Sequence, residues 1–297
     1  TATDISVLPT KTTTFTYANS GWKDLLVSVN GVELTYDANG NVLTYGDREY
    51  SWTNGRSLAQ ITDGENTYSY TYDENGIRTS KAVNGVTTYF NTNNGMILSQ
   101  TDNTDTWYFQ YDTNETPMGF ILNGMQYFYL TNQMGDVISI VDSDGVEIAG
   151  YEYDEWGKPI LAYSSDETNE LQVKIANTNP ILYRGYYYDY ETGYYYLQSR
   201  YYDPSICRFI NADDLSFLTT STNIDINSFA YCVNNPVNKS DSMGTSSSLN
   251  YWKILSKFLK NYLLRGKTIV KYTKMVKDIY NLHSAKVYYK KSKNNTN

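Results

Sequence analysis

Apolar and polar residues alternate through the first half of the chain, with the period of a half-buried β-strand. The run Tyr68-Ser69-Tyr70-Thr71-Tyr72 puts three tyrosines on one face, and Tyr151-Glu152-Tyr153 repeats the arrangement. Most such runs close on an aromatic residue, then a turn-forming Asp or Asn and a Gly. Clear copies are Tyr36-Asp37-Ala38-Asn39-Gly40, Trp52-Thr53-Asn54-Gly55, Tyr72-Asp73-Glu74-Asn75-Gly76 and Tyr153-Asp154-Glu155-Trp156-Gly157. Phe90 leads a longer copy, and weaker ones start at Tyr111 and Leu130, so the leading positions are spaced 16, 20, 18, 21, 19 and 23 residues apart. A period near twenty fits one strand, a tight turn and a return strand per unit. The Asp or Asn can accept backbone N–H groups within the turn, and the Gly takes positive φ.

Composition points the same way. The 297 residues include 32 Tyr and 19 Gly, and 40% are hydrophobic, enough for a folded core. Tyr, Thr, Val and Ile suit a pleated, half-buried surface. One hairpin alone is marginal, so neighbouring units must pair edge to edge to bury the aromatic face. The expected fold is mainly β: successive antiparallel hairpins in one curved sheet over residues 1–163, then a polar loop over 164–179 with a short helical turn near 168–176.

A denser motif follows. It runs Tyr183-Arg184-Gly185-Tyr186-Tyr187-Tyr188-Asp189, then Tyr194-Tyr195-Tyr196-Leu197-Gln198-Ser199-Arg200-Tyr201-Tyr202-Asp203-Pro204, then Arg208-Phe209-Ile210-Asn211-Ala212-Asp213, and closes near Asn235-Pro236. The turn repeats resemble the YD repeats of the RHS family, and residues 180–244 resemble its repeat-associated core domain. The resemblance covers roughly residues 30–244. It implies a β-shell wound around a C-terminal polypeptide, with the core domain as its plug, and a secreted or cell-surface bacterial protein. The repeats here would build only part of a complete shell. The chain begins at Thr1 and not at a Met, which points to a fragment of something longer, so the lack of a signal-like segment says little about export.

Charge divides the chain where the resemblance ends. Residues 1–244 carry 12 Lys/Arg against 31 Asp/Glu, a balance of −19, and residues 245–297 carry 12 Lys/Arg against Asp278 alone, a balance of +11. The tail also shows helical spacing, with Leu249, Trp252, Leu255, Leu259, Tyr262 and Leu263 on one stripe and Ile269, Tyr272, Val276, Ile279 and Tyr280 on a second. It reads as a cationic, helical extension and as the shell's cargo. Three behaviours fit it: docking on the acidic body, action at a target membrane, and nucleic-acid binding by phosphate neutralisation. A toxin would also imply an immunity protein as partner.

The resemblance further implies self-cleavage by paired aspartates just after the core, next to an Asp-Pro-x-Gly-Leu element. The matching stretch is Asp241-Ser242-Met243-Gly244-Thr245, which lacks the Pro and the Leu, and a cut would fall at Gly244 and Thr245. The candidate carboxylates are Asp213 and Asp225, with Asp214 as alternate for the first, and Arg208 is the candidate to orient one of them. Two close carboxylates can share a proton, so that one serves as base and the other as acid. The plainer reading of Asp203, Asp213 and Asp241 is turn formation.

No other catalytic set appears. His283 is the single histidine, and no phosphate-binding Gly-rich loop or Ser/His/Asp set is present, so no cofactor and no metal is expected. Asp142-Ser143-Asp144-Gly145 lacks the Glu of a calcium loop and reads as a hairpin turn. Cys207 and Cys232 could form one bridge, but two free thiols is the simpler reading. Against the containment function stand an adhesive one, in which outward tyrosines stack on cell-surface carbohydrate, and a displaced, inactive terminus. Inward tyrosines favour containment and outward ones favour adhesion.

Overall fold

The computed structural model describes residues 12–213, 227–241, 243–244 and 248–249. The expectations for the tail, Asp214, Asp225 and Thr245 fall outside these residues.

Sixteen described strands, β1 (Phe15–Tyr17) to β16 (Pro159–Ser164), form one sheet in strict chain order, each antiparallel to the next. The sheet is open, because β1 and β16 are its two unpaired edges. Each repeat is one hairpin, and in five of the seven the Asp or Asn predicted at its turn closes it. Asp73 Oδ1 accepts the N–H groups of Asn75 and Ile77 at 2.9 and 2.8 Å, while the Asp73 N–H donates to the Ile77 carbonyl at 2.9 Å. Asp37, Asp112, Asn132 and Asp154 use their side chains in the same way. So does Asp142, which places this carboxylate inside its own turn, as its sequence suggests.

The leading aromatic has an equally regular task. Tyr36, Tyr72, Tyr111 and Tyr153 donate their hydroxyls to the carbonyls of Leu26, Leu58, Ile97 and Val137 at 2.7–2.8 Å. Trp52 donates its indole N–H to the Val42 carbonyl at 2.6 Å. Pairing register shifts at each of these five residues, so a bulge accompanies every copy. Bulges bend a strand and add to its right-handed twist. A bulge once per hairpin therefore curves the whole sheet in one sense.

The inward face holds the core. Tyr50, Leu58, Ile61, Tyr68, Tyr70, Trp107, Phe120 and Ile140 are all buried. After β16 the chain crosses this face through helix α1 (Glu170–Thr178), which begins and ends two residues later than its sequence suggests. Asn169 caps it by accepting from the N–H groups of Leu171 and Gln172. Residues 180–213 then form a second, four-stranded sheet of β17 (Tyr187–Asp189), β18 (Tyr194–Leu197), β19 (Arg200–Asp203) and β20 (Arg208–Phe209). Strands β18 and β19 are buried at every position.

Two adjacent residues of this inner sheet report the curvature of the outer one. The Tyr194 hydroxyl is 2.6 Å from that of Tyr50 on β5 (Arg48–Thr53), and the Tyr195 hydroxyl donates at 2.7 Å to the Gly157 carbonyl in the turn between β15 (Glu147–Tyr153) and β16. On a flat sheet β5 and β15 would lie about 48 Å apart, at roughly 4.8 Å per strand. Neighbouring tyrosines can touch both only because the outer sheet is rolled around the inner one.

Candidate functional site

A buried charge cluster is built around Arg200, at the start of β19. Its Nη2 lies 3.0 Å from Asp213 Oδ2 and 3.4 Å from Asp241 Oδ2. Nη1 donates to the Ser228 carbonyl at 2.9 Å, and Nε donates to the Gly244 carbonyl. The guanidinium rests 3.6 Å above the Phe209 ring. One cation thus gathers two carboxylates and the carbonyl next to the predicted cut. Burial pulls the Arg200 pKa down to about 10, against the pull of Asp213 and Asp241. It stays protonated at neutral pH.

Each element of the cluster is held from behind. The Asp213 N–H donates to the Ser228 carbonyl at 2.9 Å, and Arg56 donates to the Asp213 carbonyl. The Asp241 N–H donates to the Tyr186 hydroxyl at 2.8 Å. The Ser199 hydroxyl donates to the Met243 carbonyl at 2.7 Å. Gly244 has φ +71, and a β-carbon there would lie 2.7 Å from the Leu197 carbonyl oxygen and 2.8 Å from Ser199 Oγ. Only a glycine lets the backbone pass this close.

Asp213 and the Gly244 carbonyl therefore both contact Arg200. Arg208 does not join them. Its Nη2 donates to the Tyr17 hydroxyl at 2.5 Å, and its guanidinium lies 4.8 Å from the Tyr17 ring centroid, so it ties β20 to the shell's first described strand. The arginine on the carboxylates is Arg200, and the second described carboxylate is Asp241. Both lie inside quoted motifs. The signal that could have found Arg200 is its place in the tyrosine-dense run Tyr194–Tyr202, where a charge that is buried needs a partner.

The other motif residues fasten the inner sheet to the outer one. Arg184 takes its backbone N–H to Asp136 Oδ1 at 3.0 Å and its Nη2 to the Pro236 carbonyl at 2.5 Å. Tyr183 packs against Tyr153, Tyr186 and Tyr195. Gly185 has φ +73 and leaves room for Pro117. Tyr201 bonds the Tyr72 hydroxyl at 2.9 Å, and Tyr202 stacks on Tyr231 with centroids 3.9 Å apart. Asp203 forms a turn with Pro204 and Ser205, accepting both the Ser205 N–H and its hydroxyl. Asn235 closes the turn after Tyr231 by donating its N–H to the Cys232 carbonyl at 3.0 Å. Cys207 and Cys232 are both free thiols.

Sequence reasoning did not single out the pin at the middle of the shell. Arg78 on β8 (Arg78–Val83) and Asp189 on β17 pair with neither side chain exposed. Tyr70, Phe90, Tyr187, Tyr196 and Tyr201 surround the guanidinium at 4.3–5.8 Å from their centroids. Lys81 adds contacts to Asp189 at 3.0 Å and Glu191 at 2.9 Å. Among the described residues, no group of three or more His, Cys, Asp or Glu is placed to hold a metal ion. No helix among them is long and apolar enough to cross a membrane.

Comparison with known proteins settles the family. The Teneurin YD-shell family model matches residues 8–237. The chain belongs to the Teneurin YD-shell family. This YD-shell chain is 38% identical over 226 residues to the tRNA nuclease WapA of Bacillus subtilis strain 168, which covers 74% of the chain and 9% of that protein. It is 39% identical over 226 residues to the tRNA(Glu)-specific nuclease WapA of Bacillus subtilis subsp. natto, again 74% of the chain and 9% of the relative. Its fold resembles a crystal structure of TcdB2-TccC3-Cdc42 with TM-score 0.59 and 20% identity over 82% of this chain and 13% of that one. A Photorhabdus luminescens Tc holotoxin pore gives TM-score 0.55 and 19% identity over 73% of this chain and 11% of that one. The YD-shell chain thus spans about a tenth of the length of these relatives.

Proposed function

We propose that this chain is the closing end of the shell of a longer RHS-type toxin, which holds residues 245–297 as cargo and cuts them free beside Thr245. The observation that carries this reading is Arg200, which binds Asp213, Asp241 and the Gly244 carbonyl with one guanidinium. In the cut, one carboxylate takes a proton from water, and the hydroxide adds to the carbonyl carbon. The other carboxyl gives its proton to the departing nitrogen, and the peptide bond breaks. Arg200 stabilises the oxygen that becomes negative. Residues 180–244 act in this reading as the core domain and plug.

Burial supports containment over adhesion. Tyr50, Tyr68, Tyr70, Tyr127, Tyr129 and Tyr151 all point inward and are buried. For the cargo, the WapA relatives' names as tRNA nucleases, together with the 12 Lys/Arg of residues 245–297, favour a nucleic-acid target over a membrane. An immunity protein and export from a bacterium belong to the same proposal.

The test is intact-mass analysis of the purified full chain. The expected result is a fragment that begins at Thr245 or Ser246, lost in Arg200→Gln, Asp213→Asn and Asp241→Asn while circular dichroism shows each variant folded. A wild-type chain that stays whole on prolonged incubation, or is cut equally in all three folded variants, overturns the self-cleavage.

A further inference from the structure

The turn between β18 and β19 grips the chain at two consecutive carbonyls. In an extended chain successive carbonyls point to opposite sides, yet those of Met243 and Gly244 both meet this one turn. Ser199 holds the first, donating its hydroxyl at 2.7 Å and its N–H at 3.4 Å. Arg200 holds the second through Nε. The left-handed φ of Gly244, +71, falls between the two carbonyls and turns the second one round.

This grip admits one register. The Leu197 carbonyl oxygen and Ser199 Oγ fill the place where a β-carbon on residue 244 would stand. Gly244 is the only glycine between Gly193 and Gly266, so no neighbour can replace it in the turn without a clash. The Met243 side chain, by contrast, is 56% exposed, and it is the carbonyl of this residue that Ser199 holds. The shell braces the turn from the other side. Gln198, at φ +59, lies against Gly95 between β9 (Val86–Asn93) and β10 (Met96–Thr101), where a β-carbon would come 2.3 Å from Gln198 Oε1.

We infer that the β18–β19 turn selects the bond that is cut, Gly244–Thr245, by holding two backbone carbonyls around one glycine, with Ser199 as a positioning residue. This rests on the self-cleavage proposed above. Water adds to the Gly244 carbonyl carbon, and the broken peptide bond leaves a carboxylate on Gly244 and an amine on Thr245. Ser199 holds the neighbouring carbonyl and not the reacting one. It keeps the peptide from rotating, so that the Gly244 oxygen stays on Arg200. The Met243 side chain takes no part.

The experiment follows the full chain over time by intact-mass analysis, as wild type, Ser199→Ala, Ser199→Thr and Met243→Ala. Ser199 is exposed, and circular dichroism checks that each variant folds. Wild type should release one fragment, beginning at Thr245. Ser199→Ala should release about tenfold more slowly, and with more than one starting residue, because a reacting group held loosely loses rate. Ser199→Thr keeps the hydroxyl and should restore the single start and a rate within about threefold of wild type. Met243→Ala should match wild type within about twofold. Release from Ser199→Ala at the wild-type rate and from one bond overturns the inference, and so does a start that moves in Met243→Ala. A wild-type chain that stays whole sinks the self-cleavage instead, and hydrogen exchange over residues 239–244 then judges the grip by itself. Exchange there should be at least about threefold faster in Ser199→Ala than in wild type or Ser199→Thr, and equal exchange overturns the grip.

Discussion

Arg78 donates to Asp189 through both terminal nitrogens, at 2.6 and 3.2 Å, across 111 residues of sequence and with no exposed surface on either side chain. Burial alone would raise the Asp189 carboxyl. Arg78 and Lys81 more than reverse this and hold it below the usual carboxylate range. Removing one partner leaves the other charge buried and unpaired, so Arg78→Met should destabilise the chain by about 3–5 kcal/mol in urea unfolding. The depressed pKa also sets a pH dependence. Its stabilisation is complete above the unfolded carboxylate pKa and is lost as pH falls through the lower folded value. Wild type should therefore lose stability between about pH 4 and the strongly acidic range, and Arg78→Met should show a shallower loss there.

The turns should tolerate an amide but not a methyl group. Asp73→Ala removes the acceptor of two backbone N–H groups and should destabilise by about 1–3 kcal/mol. Asp73→Asn keeps that acceptor and should lie within about 0.5 kcal/mol of wild type, the usual range for a neutral surface change. Equal losses would show that charge, and not turn geometry, selects Asp here.

Tyr72 and Tyr89 test whether the tyrosines serve the interior. The Tyr72 hydroxyl bonds the Leu58 carbonyl at 2.8 Å and the Tyr201 hydroxyl at 2.9 Å, so Tyr72→Phe should lose about 1–2 kcal/mol. Tyr89 is 61% exposed, and Tyr89→Phe should change stability by less than about 0.5 kcal/mol. Chemical denaturation of the pair reads both.

Gly157 and Gly145 both have positive φ but differ in their surroundings. A β-carbon at Gly157 would lie 2.3 Å from the Tyr183 ring, and one at Gly145 would meet nothing within 4 Å. Gly145→Ala should lose about 1 kcal/mol, from backbone strain alone. Gly157→Ala should lose about 1–3 kcal/mol more, from overpacking against the ring. Thermal melts of the two variants should separate accordingly.

Both thiols should be slow to react. Burial pushes Cys207 and Cys232 up to about 12, so little thiolate is present at pH 8. The native chain should resist alkylation by iodoacetamide at that pH, and both cysteines should be labelled once urea unfolds it. Rapid labelling of the native protein would contradict the burial of Cys232, which is 1% exposed.

The hairpin architecture was legible in the sequence because its causes are local. Strand period, Asx turn and positive-φ Gly all act within one repeat of about twenty residues, and most repeats carry their own copy. Sequence alone therefore determined a mainly β sheet and where its turns fall, and the structure decided that most of the aromatic face points inward. The roll of that sheet came from elsewhere. It accumulates from twist and bulges over ten strand spacings, and only its total brings Tyr50 and Gly157 to the adjacent residues Tyr194 and Tyr195. The same roll chose Arg78 for Asp189, and packing of the inner sheet chose Arg200, over Arg208, for Asp213 and Asp241. These pairings join residues up to 144 positions apart. No local spacing encodes them, because a contact at that range depends on the summed geometry of everything between.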